Sequence, residues 1–431
     1  MRAVIIHVVR SGETVYSIAR QYGVDPRRLL VDNGVPETGG LAVGQTLTAR
    51  FPRQVYAVRQ GDTLSSVART FGVTVRQLYR RNYQLGGQDT LIPGQTLVIS
   101  YLGEKLGGIT TNSYAYPYID RRLLDASLPY MSCLTPFTYG ITASGGLLPL
   151  EDGVLLSAAG ALGSLPLMHL SSMTEEGQFD NQRSSLVLTD AQVQRAFIAS
   201  VMEAVRQKGY RGVDVDFEFV PAQERQAYVE FVAALRRELA PMGYPVLVAL
   251  APKTYAAQPG LLYEGHDYKG LGAAADFVLL MTYEWGYSYG PPMAVAPIPK
   301  VRQVLDYAVT EIPPGKIILG IPNYGYDWPL PFRQGETRAR SLSNQEAVAL
   351  AVRYGAEIQY DETAQSPFFY YTAEDGLSHM VWFEDGRSME AKLLLVSEYG
   401  FLGAGYWNLM RPFAQGWTVL DGLYEVADPQ T

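Results

Sequence analysis

Between Gly212 and Phe219 the chain alternates strictly, with Val213, Val215, Phe217 and Phe219 apolar and Asp214, Asp216 and Glu218 acidic. An extended strand sends alternate side chains to opposite faces, so the three acids form one row. The flanks change period. Apolar residues at Val193, Phe197, Val201 and Val205 predict a helix capped at Thr189 or Asp190 and ended by Gly209. A second helix is predicted to open at Pro221, with Tyr228, Phe231, Val232, Leu235 and Leu239 on one face. A strand between two helices belongs to a parallel sheet, whose strands are normally buried and apolar on both faces. Three carboxylates break that rule. Burying like charges together is costly, so the row predicts a strand opening on a solvated catalytic cleft. The competing reading, an antiparallel strand with a solvated acidic face, fits poorly with helices on both sides.

The same alternation of strand and helix runs through the chain from about residue 108. Strands are predicted at 109–116, 133–141, 167–172, 213–219, 246–251, 277–283, 317–323 and 403–408. Eight such strands fit a closed α/β barrel, the (β/α)8 TIM barrel. This part is about 320 residues long, more than the roughly 250 typical of the fold. The surplus lies between the seventh and eighth strands, at about 326–390, where a helix at 343–354 and strand-like runs at 367–372 and 379–383 predict an α+β insertion beside the cleft.

Ahead of the barrel the chain repeats itself with a period of about 50 residues. Residues 7–24 align with 56–73, each copy carrying an Arg-x-Gly-(Glu/Asp)-Thr turn, at Gly12-Glu13-Thr14 and Gly61-Asp62-Thr63. Both copies continue to an Asn, Asn33 or Asn82, and close with Gly-Gln-Thr-Leu. Each reads as a β-α-α-β unit, too small for a large core and with an exposed groove between loops as its working surface. The domains are therefore predicted at 1–50, 54–100 and 106–431, with short linkers at 48–54 and 100–110.

Composition narrows the function. One cysteine, Cys133, permits neither an intramolecular disulfide nor a cysteine zinc site, and the four histidines show no metal-binding spacing, so no metal or other cofactor is expected. His7, His169, His266 and His379 are read as structurally satisfied or exposed. No run of 18 apolar residues is present, so no membrane span is expected, and the amino-terminal apolar run reads as a strand, without the features of a removable signal. Charge is uneven: residues 1–100 hold twelve Arg and six acids, against 23 basic and 37 acidic residues in the remainder. A basic front end suits an anionic polymer. Nucleic acid is not expected, because no nucleic-acid-binding motif accompanies the charge.

The acid row resembles the D-x-D-x-E signature of glycoside hydrolase family 18, the chitinase and endo-N-acetylglucosaminidase family, on the fourth strand of its barrel. An Asp that many members carry before the motif's Gly is Arg211 here. The resemblance implies that Glu218 protonates the leaving oxygen, Asp216 stabilises the substrate acetamido group and Asp214 holds Asp216, since this family uses substrate assistance. Met281-Thr282-Tyr283-Glu284 resembles the family's M-x-Y-D, implying that Tyr283 meets the acetamido group, with Met281 and Glu284 beside it and Glu in place of Asp. Trp407 is similarly implied as the hydrophobic floor, and Tyr114, Tyr116 and Asn323 as further substrate contacts. The repeats resemble the LysM module, which implies glycan binding at Gly12, Glu13, Thr14, Gly61, Asp62 and Thr63. Paired LysM modules before such a barrel resemble the spore cortex-lytic N-acetylglucosaminidases of spore-forming bacteria. That implies a spore location and a peptidoglycan or chitin-like N-acetylglucosamine polymer as partner. A LysM-targeted chitinase and a glycan-binding barrel without activity are the other readings. No oligomeric state follows from the sequence.

Overall fold

The computed structural model describes residues 4–428; the first and last residues of the expected domains lie outside that range. In the first module the strand Ile5–Val8 pairs antiparallel with Thr46–Ala49, enclosing helices Val15–Tyr22 and Pro26–Asn33. In the second, Pro52–Ala57 pairs with Thr96–Tyr101 around Leu64–Phe71 and Val75–Arg81. The recurring Asn has a physical cause. Asn33 Nδ2 donates to Leu29 and Thr48 carbonyls while its Oδ1 accepts from Thr48 N–H, and Asn82 makes the same three bonds to Leu78 and Val98. One buried amide thus ties the second helix to the closing strand.

The expected linkers are shorter than the sequence suggested. Thr48 and Ala49 end one strand and Pro52 begins the next, leaving only Arg50 and Phe51 between modules. A strand tolerates proline as its first residue, so Pro52 is no linker signal. Ser100 and Tyr101 likewise belong to the strand ending the second module, and the barrel's first strand starts at Gly108.

The barrel strands are Gly108–Ala115, Cys133–Pro136, Leu165–Pro166 continued by Met168–Ser171, Val213–Asp216, Val246–Leu250, Phe277–Leu280, Ile317–Pro322 and Gly403–Trp407. Adjacent strands pair in parallel around the ring, and a bridge between Tyr139 and Leu170 joins the second strand's extension to the third. The fourth strand ends at Asp216, two residues before Glu218. Phe219, expected on the apolar face, lies beyond the strand at φ 57° and is 37% exposed. The chain therefore turns sharply straight after Glu218.

The helix before this strand spans Ala191–Lys208 with Asp190 as its cap, preceded by a further helix, Asn181–Thr189, that the periodicity did not reveal. Pro221 caps a short 3-10 turn, Ala222–Glu224, and the α-helix proper is Arg225–Leu239. Its Tyr228, Phe231, Val232, Leu235 and Leu239 are all 0% exposed. Phe217 stacks on both Tyr228 and Phe231, so truncating Phe231 to Ala would cost about 3–5 kcal/mol.

The insertion is a five-stranded antiparallel sheet, ordered Arg340–Leu342, Gly325–Pro329, Ser378–Trp382, Ser366–Thr372 and Gln359–Asp361, with the helix Asn344–Tyr354 packed on it. It ends before the barrel helix Gly386–Tyr399, short of the expected boundary at 390. Tyr324, Tyr326, Trp328 and Trp382 form an apolar cluster against which Tyr283 and Trp407 pack, so the insertion stands beside the barrel mouth.

The modules are docked on the barrel. Arg50 pairs with Asp421 at 2.8 Å and Arg80 with Asp428 at 3.0 Å, while Arg76 donates to the Gly163 and Met131 carbonyls. Gln415 inserts into the first module, donating to Asn33 Oδ1 and the Thr46 carbonyl. Arg50, Arg76 and Arg80, part of the basic charge expected to face an anionic polymer, are therefore turned inward. No helix among the described residues is long and apolar enough to cross a membrane.

Candidate active site

Asp214 and Asp216 point into the barrel near its carboxyl mouth, 0% and 6% exposed, and Glu218 follows them just past the strand end, partly buried. Burial pushes the Glu218 carboxyl up to about 8, helped by the charges of Asp216 and Glu284. Asp214 is pushed up to about 6, again by burial and by Asp216, against the opposing influence of His169 and Tyr114. A carboxylic acid protonated at neutral pH is what proton donation to a leaving oxygen requires.

The peptide carrying Glu218 is braced from behind. His266 Nε2 faces the Phe217 carbonyl at 3.1 Å, and its Nδ1 accepts from Ala251 N–H at 2.9 Å. These partners fix the ring hydrogen on Nε2, and burial lowers the imidazole to about 4, so it stays neutral. Lys253, 1% exposed, donates to the His266 carbonyl.

Tyr283 lies across from the row, where burial and then the charges of Asp216 and Glu218 keep its phenol protonated. Gly320 on the seventh strand makes room for it: a Cβ there would come within 2.9 Å of the Tyr283 ring and 2.2 Å of the Leu280 carbonyl oxygen. Met281 packs in the same interior cluster as Tyr114 and Phe137. Glu284, at φ 67°, takes hydrogen bonds from the Tyr324 and Tyr326 hydroxyls of the insertion. The longer acid is therefore anchored at the rim. Trp407, half-buried, packs against Phe137 at 5.0 Å, Tyr114 at 5.3 Å and Tyr116 at 6.3 Å between ring centroids, a continuous aromatic floor.

Two sets of expected contacts make structural bonds. Asn323 is 1% exposed and its amide donates to the Asn408 and Arg411 carbonyls, so it frames the loop after Trp407. In the modules, Glu13 accepts from Arg10 N–H and meets His7, and Asp62 accepts from Arg59 N–H and Tyr56 OH. Thr14 and Thr63 cap their helices, and Gly12 and Gly61 turn the chain at φ 82° and 88°. These side chains build the turn. Arg211 is at the far end of the strand, bonded to Tyr244.

His169 is the residue that sequence reasoning passed over. It is wholly buried, in register with Asp214 on the neighbouring strand, with Nε2 3.5 Å from Asp216 Oδ2. The available signal was its place in a predicted barrel strand adjoining the acid row.

A (β/α)8 barrel that gathers a protonated carboxyl, two buried aspartates and an aromatic floor at its mouth is the framework of a glycoside hydrolase. The chain belongs to glycosyl hydrolases family 18: residues 176–411 match that family, and residues 7–50 and 56–100 match the LysM domain. It is 39% identical over 429 residues to a cortical fragment-lytic enzyme of Bacillus subtilis (strain 168), covering 98% of both chains. The crystal structure of the Bacillus cereus spore cortex-lytic enzyme SleL is similar with a TM-score of 0.83 and 36% identity, covering 99% of each chain. A chitinase from Chromobacterium violaceum is similar over 73% of this chain and 98% of its own, with a TM-score of 0.67 and 29% identity.

Proposed function

We propose that this enzyme hydrolyses β-1,4 bonds after N-acetylglucosamine in spore-cortex peptidoglycan, with the substrate's own acetamido oxygen as nucleophile, and that it acts in the spore. The observation that carries this reading is a Glu218 carboxyl raised to about 8 beside Asp216 and opposite Tyr283. Glu218 donates its proton to the leaving oxygen and then takes one from water. Asp216 and Tyr283 hold the acetamido group as it attacks the anomeric carbon, Asp214 supports Asp216, and Trp407 carries the sugar. A two-carboxylate retaining mechanism needs a second free acid about 5–5.5 Å away across the scissile bond. Glu284, the other acid acting on Glu218, is tied to two tyrosine hydroxyls, which favours substrate assistance. The names of the relatives support cortex fragments as substrate over chitin.

Glycan capture falls mainly to the second module. Ala42, in the loop before the first module's closing strand, is 5% exposed within the insertion's core cluster, whereas its counterpart Ile92 is 67% exposed. A Cβ at Gly44 would lie 1.8 Å from the Ile358 carbonyl oxygen, while one at the equivalent Gly94 meets nothing within 4 Å. The first module's loop is thus covered and the second's is open.

Mass spectrometry and NMR of products from cortex fragments test the reaction. Expected are new reducing ends on N-acetylglucosamine with retained configuration, and near-complete loss of cleavage after de-N-acetylation of the reacting sugar. Efficient cleavage of de-N-acetylated substrate, or a glycosyl ester trapped on a carboxylate, would refute the mechanism.

A further inference from the structure

The two ring nitrogens of His169 face different partners. Nδ1 is 2.6 Å from Thr138 Oγ1, and Nε2 approaches Asp216 Oδ2 at 3.5 Å without a formed hydrogen bond. The titratable groups around the imidazole are Asp214 and Asp216 on the fourth strand and Tyr114 on the first, whose ring meets it edge-on at 5.4 Å. Phe137 covers its face at 4.7 Å, and the Cys133 thiol on the second strand feels the Asp214 charge. The groups acting on Asp214 and Glu218 are Asp216, Glu284, Tyr114 and His169, so the imidazole is the one among them able to carry positive charge.

The hydrogen positions follow from counting donors. Thr138 has one hydroxyl proton. If it goes to His169 Nδ1, the ring hydrogen is on Nε2. If Nδ1–H donates to Thr138, whose own proton then goes to Ser171 Oγ at 2.9 Å or to the Tyr139 carbonyl at 3.2 Å, a bare Nε2 would oppose a buried carboxylate. Two facing lone pairs in a buried site disfavour the second arrangement, so the first, with an Nε2–H directed at Asp216 Oδ2, is the one the contacts support.

We propose that His169 is a positioning residue for the acid row: its Nε2–H, directed at Asp216 Oδ2, keeps that aspartate ionised and leaves Glu218 as the group that carries the proton. The proposal rests on the reading of Glu218 as the proton donor. Without the imidazole, three carboxyls would share the mouth with no balancing donor beyond the phenols, and Asp216 would take up a proton at a higher pH.

Two measurements test it. In His169→Phe the acidic limb of the kcat profile on soluble cortex fragments is expected to move up by about one pH unit, with kcat at pH 6 down at least ~10-fold and KM within ~3-fold. His169→Gln, which restores an amide donor without a titrating ring, should recover most of kcat. A purely structural role would lower kcat equally at every pH and leave the limb in place, and that result overturns the proposal. The second is independent of turnover. Nitrogen-15 NMR of the full chain should show His169 Nε2 protonated at pH 7, with shifts that move in Asp216→Asn. A bare Nε2 at pH 7 overturns the proposal even if Glu218 keeps its role, whereas an active Glu218→Gln variant with a protonated Nε2 would fault only the assignment of Glu218.

Discussion

Glu218 holds a proton more tightly in the folded chain than in the unfolded one, and that difference has a sign. A carboxyl raised from 4.5 to about 8 lowers folding stability progressively as pH climbs through that interval, because the folded state is asked to release a proton it binds better. Glu218→Gln removes both the proton donor and this penalty. Hydrolysis should fall by about 10³-fold or more with glycan binding retained. Calorimetry should find the variant no more stable than the parent at pH 4, but more stable at pH 9, by a few kcal/mol at most (~1.4 kcal/mol per pKa unit). A gain of equal size at both pH values would mean that the carboxyl is not held protonated. In the parent, kcat/KM should decline above pH ~8 as the donor ionises. The acids were legible in the sequence because three charges in a strand flanked by helices contradict ordinary burial. His169 was not, since a lone histidine in an apolar strand looks like any satisfied core residue until its neighbour across the sheet is known. The framing bonds of Asn323 were not legible either, because an asparagine at a strand end serves backbone carbonyls as readily as a sugar.

At the scale of elements, two copies of one unit sit in different surroundings, the loop of the first covered by the insertion and that of the second open. The repeat, its caps and its paired helices were readable from periodicity, because Thr14 and Thr63, Gly23 and Gly72, and Asn33 and Asn82 perform local tasks that need no tertiary context. What covers each copy was not readable, since that depends on Ile358, some 300 residues away in sequence from Gly44. Ile92→Asp in the open loop should reduce co-sedimentation with insoluble peptidoglycan by about tenfold while leaving turnover of soluble fragments unchanged. Ala42→Asp should do the reverse, lowering Tm by burying an unpaired charge in the insertion's core. Matching pull-down of parent and Ile92→Asp would sink the division of labour between the modules.

For the whole molecule, part of the charge asymmetry along the chain is a record of docking: Arg50, Arg76 and Arg80 are buried, while Arg10, Arg20, Arg27, Arg53, Arg59 and Arg69 stay exposed. Asp421 is 1% exposed; burial pushes its carboxyl up, but Arg50, then Lys105, Arg80 and Arg81, more than offset this and hold it well below the usual carboxylate range. Twelve arginines in the first hundred residues looked like a polymer-binding surface because sequence reports net charge and not direction. A pair this deeply buried is poorly screened, so added salt should not weaken it as it would a surface contact. Removing Asp421 leaves the buried Arg50 without its carboxylate, at a cost of about 3–5 kcal/mol, whereas removing Arg50 leaves Asp421 with Lys105 at 3.3 Å and Arg80 at 3.9 Å. Arg50→Ala and Asp421→Ala should each lower Tm clearly, while the double variant should be less destabilised than the two losses added together, giving a coupling of about 1–3 kcal/mol. A chain starting at Leu106 loses Arg50, Arg80, Arg81 and Lys105 at once and uncovers Gln415, so it should melt lower still and lose activity through instability, beyond any loss of targeting. If that truncated chain melts with the parent, or if the Arg50 and Asp421 losses simply add, the modules are carried by the barrel and do not help to hold it together.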